Sequence, residues 1–127
     1  MDKLTIKNFA NHLQFLCYEA SHAAGWWHDK DGKFLAYEPL MFSNKIALCH
    51  SELSEALEGD RTGERDKHLP HRLCSEVELA DALIRIFDLA GAYGFDIGGA
   101  MAEKMEYNKK RLDHKKESRE AEGGKKY

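Results

Sequence analysis

Apolar residues recur at three- and four-residue steps in four stretches of this chain, the spacing that lines one face of an α-helix. From Thr5 to about Ala24, Phe9, Leu13, Leu16, Ala20 and Ala24 mark the first stripe. The second stretch runs from Ser43, a residue suited to an N-cap, to Gly59, with Ile46, Cys49, Leu53, Ala56 and Leu57 on its core face. The third, Ser75 to Tyr93, differs in being apolar nearly all the way round. At about 100° per residue, Val77, Leu79, Ala80, Ala82, Leu83, Ile84, Ile86 and Phe87 cover most of its circumference and leave Glu78, Asp81, Arg85 and Asp88 in one narrow stripe. Such a helix is expected to be buried; on one reading its polar stripe faces water, with Ser75 and Glu78 as a capping box and Asp81 and Arg85 as an i,i+4 pair, and on the other the acids of the stripe belong to a site. The fourth stretch starts at Asp96, another N-cap, and reaches about Leu112, with Ile97, Ala100, Met101, Met105 and Leu112 on one face. The pattern predicts an all-α fold, a four-helix bundle.

The connections carry their own information. GWWHDKDGKFLAYEPL holds two glycines and a proline and reads as a long loop after the first helix, a length uncommon unless the loop is functional or mobile. Trp26 and Trp27 stand together in it, and either is expected to cap the core or to offer a face on which a planar base stacks. GDRTGERDKHLPHR is long enough to let the second and third helices pack antiparallel. The tail DHKKESREAEGGKKY has no apolar periodicity, so one helical domain over residues 1–112 and a polar, flexible tail over 113–127, ordered only by a ligand or neighbouring subunit, are expected.

Composition narrows the class. A chain of 127 residues with 43% hydrophobic and 32% charged residues fits one globular domain. Its formal net charge of −3 gives no reason to expect nucleic acid or an anionic membrane as partner. No apolar run approaches a membrane span, and the first residues lack the layout of a secretory signal, so a cytoplasmic location is expected. Cys17, Cys49 and Cys74 are odd in number and widely spaced, which suggests reduced core thiols and no disulfide framework.

The candidate chemistry lies in acids three residues apart. With 22 acids in the chain, chance alone predicts roughly three or four such pairs, and five occur, so spacing proves little. Position decides more: Glu52/Glu55 and Glu78/Asp81 adjoin apolar faces, whereas Glu103/Glu106 and Glu117/Glu120 lie on polar ones. Four carboxylates at one helix interface repel strongly unless protons or cations offset them. All-oxygen ligation suits Mg²⁺, with Mn²⁺ as a substitute, and Mg²⁺ characteristically shares phosphate oxygens. Lys104, Asn108 and Arg111 project from the apolar face of the fourth helix, as snorkelling side chains or as a cationic row for a polyphosphate. Metal-assisted phosphoanhydride hydrolysis is the reaction class these residues suggest.

The run NKIALCHSELSEALEGDR, then SEVELADALIRIFDLAGAYG and EKMEYNKKR, resembles the MazG-like branch of the all-α nucleoside triphosphate pyrophosphohydrolases. That family carries EExxE followed by ExxD; here Ser51, Glu52 and Glu55 stand for the first half and Glu78 and Asp81 for the second, so four acids remain. The resemblance implies a helical bundle assembled as a homodimer or homotetramer, in which Glu52, Glu55, Glu78 and Asp81 bind Mg²⁺ and a water splits a nucleoside triphosphate into monophosphate and pyrophosphate. It also implies that Lys104 and Asn108, at KxxxN positions, help to hold phosphates or a metal. Two other classes stay open. A non-catalytic helical interaction or regulatory module needs only that the acids be surface, and a di-iron carboxylate bundle needs Glu-x-x-His on two helices, of which Glu19-x-x-His22 alone is available.

Overall fold

The computed structural model describes residues 2–111 and 115–126. The chain is all-α: α1 is Lys3–Ala23, α2 Met41–Thr62, α3 Cys74–Ala92, α4 Ile97–Lys110 and α5 Lys116–Glu120. Among the described residues extended pairing is limited to two isolated bridges, His28 with Phe34 and Arg65 with Leu73. No helix of the described residues is long and apolar enough to cross a membrane. The chain divides into two compact units, one of residues 13–95 and one of residues 1–12 with 96–127.

In the unit of residues 13–95, α2 and α3 are the helices in closest contact. They run antiparallel: Gly59 near the end of α2 meets Cys74 at the start of α3, and Glu52 further back meets Arg85 further on. Gly59 was expected to stop α2, yet the helix continues to Thr62 and is closed by Gly63, whose φ of 69° suits a left-handed cap. A Cβ at Gly59 would fall 2.8 Å from the Cys74 sulfur. This glycine therefore serves close helix approach and not termination.

The starts of both helices also depart from expectation. Leu40, in the left-handed region at φ 66°, precedes α2, and Ser43 lies inside the first turn, where its hydroxyl donates to the Leu40 carbonyl at 3.0 Å. Leu73 precedes α3 without a side-chain cap, so Ser75 and Glu78 form no capping box. Arg72 instead pairs with Glu76 at 2.5 Å, one turn on.

The segment between α1 and α2 is tied down along its length. The Asp29 carboxylate accepts from the backbone N–H of Asp31 and Lys33, both at 2.9 Å, and Leu35 N–H donates to the Trp27 carbonyl at 2.8 Å. Trp27 and Ala36 are fully buried and form the core cluster with Leu89 and Ala92 of α3. The Trp27 indole N–H donates to Asp88 at 2.7 Å, and the Tyr93 hydroxyl donates to the Ala36 carbonyl. Gly91 leaves room for the Tyr18 side chain, which a Cβ would strike.

Alanines and Phe87 and Leu89 supply the buried face of α3, but Leu79 and Leu83 are 52% and 54% exposed, and Ile84 and Ile86 are also exposed. The expectation that α3 is buried all round is not met within a single chain: its partners cover one side only.

In the other unit Asp96 caps α4 as expected, accepting from Gly99 N–H at 3.0 Å, and is held by Asn11 at 2.8 Å and Lys7 at 3.2 Å. α4 ends at Lys110; Leu112 lies outside the described residues. Within the tail, residues 116–120 form a helix that apolar periodicity did not predict, with Lys116 and Glu120 paired one turn apart at 3.5 Å.

Because Trp27 combines full burial with a hydrogen bond to a carboxylate, Trp27→Ala should cost about 3–5 kcal/mol and Trp27→Phe about 1–2 kcal/mol. Urea unfolding monitored by far-ultraviolet circular dichroism measures both. Equal, negligible losses would contradict a core role.

Candidate metal centre and adjoining cavities

The antiparallel packing of α2 and α3 brings acids from both helices to one place. Glu52 and Glu55 lie one turn apart on α2 and Glu78 enters from α3; each offers a carboxylate oxygen, and the three oxygens lie within 4.8 Å of one another. Burial is graded across them: Glu52 is buried at 7% exposure, Glu78 is intermediate and Glu55 is exposed. Asp81, one turn beyond Glu78, is half-buried and stands outside this closest trio, although Glu52's charge reaches it.

Arg85 was expected to pair with Asp81 on its own helix. It pairs instead with Glu52 on α2, Nε to Oε1 at 2.6 Å. The sequence pattern showed Arg85 in the acidic stripe, but its partner depends on which residue of α2 lies opposite, which periodicity does not contain.

The protonation of the group follows from this geometry. For Glu52, burial is the largest influence and pushes its pKa up. Hydrogen bonds with Arg85, Glu78 and Glu55 and the charge of Arg85 together outweigh burial, and the carboxyl lies below its ordinary value. Glu55 is raised by its hydrogen bond to Glu52 and by that neighbour's charge. Glu78 is pushed up to about 7, by burial first and then by its hydrogen bond to Glu52 and the surrounding acids. Asp81 is raised by burial and by Glu52, with Arg85 acting against both. One carboxylate is held charged by a guanidinium and the others are driven toward protonation. Protons and an arginine thus carry the compensation that four clustered acids require.

Two cavities flank the trio. One, of about 510 Å³, is lined by Leu16, Cys17, Ala20, Ser21 and Ala24 with the exposed Trp26, and by Glu52, Asp81, Ile84, Arg85 and Asp88. The other, of about 290 Å³, is bounded by Glu55 and Glu78 together with Glu58, Gly59, Cys74 and the 64–68 connection, including Asp66 and His68. Asp66 shapes that connection by accepting from the N–H groups of His68 and Leu69 at 2.8 and 2.7 Å. Asp88 was legible in the sequence only as a member of the polar stripe of α3, and Asp66 did not stand out, since it comes beside the acids only through tertiary contacts.

The tryptophan pair separates. Trp26 is 71% exposed and borders the larger cavity, so it keeps a face for a ring to stack on. Trp27, the other stacking candidate, is fully buried, with the Lys45 ammonium 4.7 Å from its ring centre and its N–H spent on Asp88. It has no face to offer a ligand.

Lys104, Asn108 and Arg111 belong to α4 and its end, in the other unit. Lys104 lies 4.7 Å and Arg111 5.8 Å from the Tyr107 ring centre, and the Asn108 side-chain oxygen is buried without a hydrogen-bond partner among the described residues. The three cysteines are free thiols, as expected, but Cys49 alone of them is buried in the core and Cys17 and Cys74 are half-buried; desolvation raises each above its ordinary pKa.

No protein-family model, curated protein or solved structure matches the chain.

The three carboxylate oxygens are near enough to one another to hold a metal ion, and hard oxygen donors suit a hard cation. The protonation pattern makes a prediction that needs no metal. A carboxyl whose folded pKa of about 7 exceeds its ordinary 4.5 takes up a proton on folding between those values, so its contribution to stability is lost as pH rises through that window. Glu52, shifted the other way, contributes stability that is lost only as pH falls below the ordinary carboxylate range. The melting temperature of the metal-free protein should therefore fall by a few degrees from about pH 5 to about pH 8. Glu78→Gln should flatten that dependence and melt higher than the unmodified protein at the alkaline end. A profile identical in both proteins would contradict it.

Proposed function

We propose that this protein is a metal-dependent nucleoside triphosphate pyrophosphohydrolase, converting (d)NTP to (d)NMP and pyrophosphate. The observation that carries the reading is the convergence of Glu52, Glu55 and Glu78 from two antiparallel helices, with Asp81 one turn away and a cavity alongside. In this proposal the four acids hold Mg²⁺, for which Mn²⁺ can substitute. When bound, the cation supplies charge for the phosphate oxygens and lowers the pKa of a bound water.

The chain's own residues supply the rest. Glu52 is the anchored ligand, since burial restricts its movement and Arg85, acting against burial, keeps it charged until the cation binds. Glu55, more exposed, is the acid with freedom to accept a proton from the attacking water. Trp26 takes the base on its exposed face, beside the cavity that also contains Glu52 and Asp81. Lys104 and Asn108 enter as phosphate-binding residues through the resemblance to the MazG-like family, and Arg111 through its charge.

The uncovered apolar residues of α2 and α3, among them Leu53, Leu57, Leu79 and Leu83, supply the surface for the homo-oligomer and for completion of a four-helix bundle. The same surface supports the rival reading, a helical interaction module without catalysis. Activity separates the two.

Glu55→Gln, Glu78→Gln and Asp81→Asn should each lower Mg²⁺-dependent pyrophosphate release by about 10² or more, while Glu103→Gln and Glu120→Gln leave it near normal. Pyrophosphate release across a panel of normal and modified triphosphates is the assay. No release from any of them by the unmodified protein would favour the interaction module. Light scattering at micromolar concentration should give at least twice the 14.5 kDa chain mass; a monomer would remove the oligomer from the proposal.

A further inference from the structure

Among the described residues, the cation at the acidic centre is itself a side chain. Arg85 Nε lies 2.6 Å from Glu52 Oε1. The two partners differ in freedom: the Glu52 side chain is 9% exposed and the Arg85 side chain 41%. Glu52 cannot turn to water for compensation, whereas the guanidinium, on a long stem, can leave. A cation ligated through Oε1 and the guanidinium bound to Oε1 compete for one oxygen.

The larger cavity adds a second constraint. Its charged lining consists of Glu52, Asp81 and Asp88 against Arg85 alone. A polyphosphate entering there meets three acids and one cation, and that cation is engaged by Glu52. Arg85 carries five N–H donors in a planar fork, the geometry that grips phosphate oxygens in pairs.

We propose that Arg85 occupies the cation's place on Glu52 in the ligand-free protein and becomes a phosphate-binding residue, handed over to the substrate's phosphates when the cation arrives. The inference rests on the metal-dependent reading above. It makes metal and triphosphate mutually dependent ligands: the metal frees the guanidinium for the phosphates, and the phosphates hold it away from Glu52. By linkage each tightens the other's binding. The metal-free site, with Arg85 on Glu52, is a self-neutralised resting state and not a preformed cage.

Binding of Mn²⁺ to the substrate-free protein, followed by the paramagnetic resonance signal of free Mn²⁺, tests the exchange. Arg85→Gln should tighten Mn²⁺ binding about tenfold, because the internal competitor is gone. It should also raise KM for the triphosphate about tenfold, with a smaller change in kcat. Arg85→Lys, which keeps the charge and much of the stem, should move both quantities in the same directions by less, and carries the test if Arg85→Gln folds poorly. Arg72→Gln, which removes the exposed pair with Glu76, should change neither. Unchanged or weaker Mn²⁺ binding in both Arg85 variants overturns the proposal, as does an unchanged KM. If the unmodified protein binds Mn²⁺ and Glu78→Gln abolishes that binding while the Arg85 variants do not alter it, the metal site stands and only the exchange fails. Absence of Mn²⁺ binding by the unmodified protein removes both.

Discussion

The contact between Arg85 and Glu52 is the interaction on which the centre of the 13–95 unit depends. Packing α2 against α3 buries the alanine and glycine surfaces that let the helices approach, but the same register sets Glu52 and Glu55 against Glu78 and Asp81. Clustered carboxylates repel, and a buried one without a partner is costly. A guanidinium reaching across from α3 neutralises the most buried of them, and the pKa of Glu78, pushed up to about 7, relieves another part of the strain. The apolar packing and the polar conflict come from one geometry and cannot be separated by sliding either helix.

The second support is the segment between α1 and α2. It has no regular secondary structure over most of its length, yet it contributes Trp27, the largest fully buried side chain among the described residues. Trp27 hydrogen-bonds to Asp88, and Asp88 lines the same cavity as Asp81 and Arg85. A residue that serves the core thus also fixes one wall of the candidate site. Its neighbour Trp26 has no such tie and stays exposed at the cavity's edge. Adjacent residues of one type take opposite roles because the segment turns between them, with Gly25 at φ 85° just before.

The helix α3 shows how much a strongly apolar sequence asks of its surroundings. Its small and aromatic residues find cover within the chain, while Leu79, Leu83, Ile84 and Ile86 do not. A surface of that kind beside a charged cavity favours association. The polar stripe of Glu78, Asp81, Arg85 and Asp88 lies on another side of α3, where Glu78 meets the acids of α2 and the other three line the larger cavity.

The amino-acid sequence by itself determined the four longer helices, because three- and four-residue periodicity is a local property. It placed α1, α2, α3 and α4 to within a few residues, selected Asp96 as a cap, and marked the acids that adjoin apolar faces. It misjudged Gly59, Ser43 and Ser75 because helix ends are decided by what packs beside them. Gly59 reads as a stop until Cys74 is set against it. The tertiary structure alone decided that Arg85 answers Glu52 and not Asp81, that Trp27 is core while Trp26 is surface, and that Asp88 belongs to the cavity. Each of these depends on residues more than thirty positions apart meeting across an interface, and periodicity along one helix carries no record of its neighbour's register.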